Sequence, residues 1–138
     1  MRRLLRLPLI VLSLAGCIIY PSVERAGTVK IRPENGRILR AASPGGTAVM
    51  YVDVVNQGGA SDTLLGVQSD VAGRVELLDG GTRLEELEIP SATTVPLASE
   101  ARHITLYDLK RDLRAGESII VTLLFRKSGA IGVITAVQ

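Results

Sequence analysis

The sequence predicts an all-β domain behind an N-terminal export segment, and three observations predict it. Short runs rich in Val, Ile, Leu and Thr recur at the spacing of a sandwich or barrel. Residues that turn a chain separate them: Pro33-Glu34-Asn35-Gly36, Ser43-Pro44-Gly45-Gly46, Asn56-Gln57-Gly58-Gly59, Asp79-Gly80-Gly81 and Ser128-Gly129. No stretch sustains a helical period; residues 108–116 have room for one turn before Gly116 and the strand-like Ser118–Phe125 follow.

At the start of the chain, Arg2, Arg3 and Arg6 precede an apolar run from Leu7 to Leu14. The run is too short to cross a bilayer as a helix and matches the apolar region of an export signal. It ends in Leu14-Ala15-Gly16-Cys17, which resembles a bacterial lipobox, and Cys17 is the only cysteine. The alternatives are an ordinary secretory signal cut near Ala15 and a leader retained as an anchor. The lipobox implies a signal peptide over residues 1–16, a lipidated tether over 17–27 and a folded domain over 28–138. Several acyl chains on Cys17 give stable anchoring where a single chain gives reversible binding. Ile18 rather than Asp follows the cysteine, which by resemblance to sorted lipoproteins implies the periplasmic side of a Gram-negative outer membrane. With Cys17 carrying lipid, no disulfide forms within the chain, so the core alone must hold the domain.

Within the domain the expected strands are 28–32 and 36–41 around the Pro33–Gly36 turn, then 47–56, 63–68, 73–78, 85–89, 93–97, 102–107, 118–126 and 130–137. In 118–126, Ile119, Val121, Leu123 and Phe125 share one face and Ile120, Thr122 and Leu124 the other, which predicts a central strand covered on both sides. Ala48–Val55 reads the same way. In 85–89, Glu85, Glu86 and Glu88 are set among Leu84, Leu87 and Ile89, the pattern of a solvated edge strand rather than a glycosidase carboxylate pair.

Composition excludes several function classes. The 138 residues, 46% hydrophobic and 22% charged, suit one globular domain. The formal charge of +2 includes the three leader arginines; without them the chain is close to neutral, so a basic nucleic-acid footprint is absent. Tyr20, Tyr51, Tyr107 and Phe125 are the only aromatics, too few for a stacking surface.

The only histidine, His103, falls on a strand rather than in a loop. Alternation places Ile104 and Leu106 toward a core and His103 with Thr105 on the opposite face, as two neighbouring ligands would be presented. A plain strand histidine bonded to a neighbour is the alternative. A Ser-His-acid triad lacks a nucleophile elbow, and phosphate-binding glycine loops opening a helix are missing. One histidine and no free thiol do not make a zinc site. Met50, the only methionine after the leader, sits mid-strand and reads as core packing. The chain is therefore expected not to be an enzyme.

The order and spacing of Gly46–Asn56, Asp62–Gly66, Val75-Glu76-Leu77, Leu87-Glu88-Ile89-Pro90, His103–Leu109, Val121–Phe125 and Ser128-Gly129 resemble the PCu(A)C family of periplasmic copper chaperones, from about Ile31 to the C-terminus. The resemblance implies a cupredoxin-like Greek-key β-barrel. It also implies transfer of Cu(I) to copper centres, notably the dinuclear site of cytochrome oxidase. The family's ligands are a histidine after the V-E-L strand, a methionine further on and a later His-x-Met; imidazole with thioethers suits Cu(I). Here Leu78 occupies the first place, the second falls near Gly81 in a shortened hairpin, His103 fills the third and Thr105 stands at the fourth. The resemblance thus implies a divergent member with a degenerate copper site and an accessory or protein-interaction role beside a copper-protein or oxidase-assembly partner. The alternatives are a copper carrier with a nonstandard site around His103, through a shared dimer site or nearby carboxylates, and an uncharacterised periplasmic enzyme. No cofactor is otherwise expected.

Overall fold

The computed structural model describes residues 27–39 and 45–138. The expected signal peptide, Cys17 and all of the tether but Gly27 lie outside them, as do Ser43 and Pro44 of one expected turn. Ten strands follow: β1 (Ile31–Leu39), β2 (Ala48–Asn56), β3 (Asp62–Ser69), β4 (Ala72–Asp79), β5 (Thr82–Leu84), β6 (Leu87–Ile89), β7 (Thr93–Leu97), β8 (Arg102–Leu109), β9 (Ser118–Phe125) and β10 (Gly129–Val137). No helix occurs among the described residues; of the residues 108–116 with room for a helical turn, the first two end β8 and the rest lie in the loop 110–117, whose Leu113 is buried.

The strands make one sheet in the order β5-β4-β8-β2-β1-β10-β9-β3-β6, with β7 also beside β2. Every pairing is antiparallel except β1 with β10. The sheet rolls into a nearly closed barrel. Its two walls are β4-β8-β2 and β1-β10-β9-β3, and each lays one alternating set of side chains inside. Met50, Val52 and Val54 of β2, Ile104 and Leu106 of β8, and Val121 and Leu123 of β9 are all fully buried. The all-β, cupredoxin-like expectation holds.

Three local expectations change. Residues 28–32 and 36–41 are not two strands around a turn: β1 runs through Pro33–Gly36 with a bulge between Glu34 and Arg37. Asn35 takes a left-handed backbone (φ 56°) there, and its side-chain amide donates to the Asp53 carboxylate at 2.8 Å, so the kink is absorbed without leaving β2. The expected strand 85–89 shortens to Leu87–Ile89, which pairs with β3, and an unexpected strand Thr82–Leu84 returns along β4, leaving Glu85 and Glu86 at the corner between them. All three glutamates are exposed, as an edge requires. Finally, β9 is central in the ladder but covered on one side only. Ile120 remains 63% exposed, because among the described residues no layer packs outside this wall.

Two buried polar side chains fasten the barrel end. Asn56 accepts from the Gly58 N–H at 2.9 Å and donates to the Ala60 carbonyl at 2.8 Å. Asp62 accepts from the N–H groups of Thr63, Lys127 and Ser128 and from the Ser128 hydroxyl. Burial pushes the Asp62 carboxyl up, but the Ser128 hydroxyl and those N–H groups together outweigh it and hold it below the ordinary value.

Candidate metal centre

His103 lies on the outer face of the β4-β8-β2 wall, half buried. Its direct cross-strand neighbour on β4 is Leu78, and Thr105, two residues along, faces Glu76 on β4 and Val49 on β2. Three of the four places that the family resemblance marks therefore share one surface. The fourth, Gly81, is in the two-residue turn between β4 and β5. Gly80 and Gly81 both have positive φ, 59° and 81°, as a tight primed hairpin turn requires. A methionine at Gly81 would be strained, so the short hairpin itself denies the site that ligand.

The imidazole is held in a defined orientation. Its Nδ1 is 3.2 Å from the Ser99 carbonyl oxygen, which can only accept, so in the neutral ring Nδ1 carries the proton and Nε2 keeps the lone pair. A backbone carbonyl on the second nitrogen is the usual support of a metal-binding histidine. The Tyr51 ring packs edge-on against His103, centroids 6.4 Å apart at 82°. Arg37 in turn lies 5.1 Å over the Tyr51 ring. A row Arg37–Tyr51–His103–Leu78 thus crosses four strands, with Arg83 opposite Leu78 at its end.

Donors to complete a soft site are not supplied by these neighbours. Met50 is fully buried on the inner face, paired with Ile104, so it points away from His103. Glu76 is engaged by Arg74 at 3.3 Å, its side chain 13% exposed. Thr105 is buried and its hydroxyl has no hydrogen-bond partner. Among the described residues there is no group of three or more His, Cys, Asp or Glu side chains able to hold a metal ion. The sequence signalled His103, Leu78, Gly81 and Thr105; it missed Tyr51 and Ser99. The alternation of β2, which turns Tyr51 outward between Met50 and Val52, was the available sign of the first.

Residues 29–137 match the family model described as "Putative lipoprotein LpqE-like". The chain belongs to that family. Among curated proteins, this LpqE-like chain is 29% identical over 127 residues to "Putative lipoprotein Lxx21020" of Leifsonia xyli subsp. xyli, covering 84% of this chain and 76% of that one. Among solved structures it is similar to the copper-bound PCuAC domain of PmoF2, at 26% identity and a TM-score of 0.72, over 80% of this chain and 95% of that domain. The Cu(I) form of DR1885 from Deinococcus radiodurans shares the fold at 24% identity and a TM-score of 0.62, over 75% of this chain and 76% of the other. The LpqE-like chain is a divergent relative of PCuAC domains, with their barrel.

Proposed function

We propose that this chain is a lipid-anchored envelope protein that keeps the PCu(A)C barrel but has lost the soft ligand set of a Cu(I) chaperone, and serves as an accessory or docking protein in copper or oxidase biogenesis rather than as an enzyme. The observation that carries the reading is Leu78 opposite His103, with Thr105 buried at the next position on the same face. One imidazole beside a leucine and a threonine offers a single good donor, where Cu(I) retention needs several soft ones. The half-buried Leu78 and Tyr51 instead present an apolar strip bordered by Arg37 and Arg83, suited to a protein partner. Lipidation would fall on Cys17, with residues 17–27 as the tether and the periplasmic side of the outer membrane as the destination. Metabolic labelling with a fatty acid tests the anchor: label lost in Cys17→Ala supports it, and label retained refutes it. Copper competition, set out at the end of the Discussion, tests the site.

A second reading, a carrier with a nonstandard site at His103, is favoured by one observation. The Ser99 carbonyl fixes Nδ1 as the protonated nitrogen and leaves the lone pair on Nε2. Metal binding that vanishes in His103→Ala would select it.

A further inference from the structure

The wall opposite His103 has a different character. Among the described residues, the exposed large hydrophobic side chains are Leu39, Leu65, Ile120 and Ile134. They lie on β1, β3, β9 and β10, which are consecutive in the sheet. Ile120 and Ile134, 63% and 74% exposed, are direct cross-strand partners. Beside them the outward positions are small or uncharged: Gly132 opposite Thr122, Ala130 opposite Leu124, Gly66 beyond Leu124. Neither β9 (SIIVTLLF) nor β10 (GAIGVITAV) contains a charged residue, although half their side chains face outward. An outward sheet face of a lone domain is ordinarily kept soluble and single by charges.

From this relief we infer that the outer wall of β9 and β10 is the surface on which two copies of this chain pack sheet against sheet. A face of uncharged side chains meets its own copy across a two-fold axis with no unpaired charge to bury. The rim is polar, with Arg37 beside Ala136 and Asp70 beside Ile120. Leaving out β1, which carries Arg37 of the rim, the three strands β10, β9 and β3, about 4.8 Å apart and about eight residues long, give roughly 400 Å² in projection. Side-chain relief makes the accessible surface larger than this projection and brings it toward the about 800 Å² per partner of a specific interface. A lipid surface fits less well: it favours aromatic and basic side chains, and the one aromatic of these strands, Phe125, is buried inside. A two-fold axis along the strands puts both β1 entries at one end, so copies tethered to one membrane can pair. The proposal stands whether or not His103 binds copper.

The test uses the full-length lipidated chain in a non-ionic detergent. Sedimentation should give a dimeric protein mass at tens of micromolar. Ile120→Lys with Ile134→Lys should weaken the dimer at least tenfold while strand circular dichroism and a single cooperative thermal transition are kept, the midpoint falling only by the contribution of the lost dimer. In vesicles, Thr122→Cys should form a disulfide between copies on mild oxidation, beyond that of wild type; this arm remains informative if the double variant folds poorly. A monomer at every concentration together with no Thr122→Cys disulfide overturns the proposal, as does a dimer indifferent to the two lysines. A Thr122→Cys fluorophore buried by vesicles without crosslinking assigns the wall to lipid and also overturns it.

Discussion

Leu78 is the direct cross-strand partner of His103, and the two side chains share the outer face of the β4–β8 ladder. Directly opposed strand residues hold their Cβ atoms about 5 Å apart, so a histidine in place of Leu78 brings a second imidazole to the first. Leu78→His should raise metal affinity at least tenfold, and adding Thr105→Met should shift the preference toward Cu(I). Because Thr105 is buried, the methionine costs about 1–3 kcal/mol of overpacking, so thermal unfolding must accompany the titration. Unchanged affinity in a folded double variant would contradict the assignment of these positions.

Thr105 hides a hydroxyl that has no partner. An unsatisfied buried polar group costs about 1–3 kcal/mol, so Thr105→Val should stabilise the domain by about 1 kcal/mol, a rise of about 4 °C in melting temperature. A fall would mean that the hydroxyl is engaged.

Met50 packs in the core against the β8 side of the barrel. Met50→Leu should change stability by less than about 1.5 kcal/mol and leave any copper titration of His103 unaltered. Loss of copper binding in that variant would place the thioether in the site.

Asp62 gives the fold its acid dependence. Its carboxyl lies below the ordinary value, because the Ser128 hydroxyl and three N–H groups outweigh the opposing effect of burial. The stability it contributes is therefore fully present above the unfolded value near 3.8 and is lost as pH falls through the lower folded value. Asp62→Asn should destabilise by about 2 kcal/mol at neutral pH and flatten the acid limb of unfolding below pH 4. An unchanged acid limb would contradict this role.

Much of this was legible in the residues. The alternation in β2, β8 and β9 marked the inner faces correctly, since Met50, Ile104 and Leu123 are all buried. The outward face of His103 followed from the same period of two. What the sequence hid were long-range effects. Asn35 turns a Pro-Glu-Asn-Gly stretch, locally the image of a turn, into a bulge, because β2 runs beside it and Asp53 is there to be bound. The division of residues 82–89 between β4 and β3 depends on where the barrel nearly closes. The exposure of Ile120 depends on what is absent from outside the wall, and no local pattern records that. At the site, Tyr51 and Ser99 reach His103 from a neighbouring strand and from a loop, neither of which spacing along β8 reveals.

The central claim is that the surviving imidazole does not make a Cu(I) site. The most direct measurement is titration of the chain from Ile18 onward with Cu(I) against a chromophoric chelator, beside His103→Ala. The expected result is that both proteins leave the chelator's copper in place to the same degree. One equivalent of Cu(I) withdrawn by the wild-type chain and returned in His103→Ala would contradict the claim.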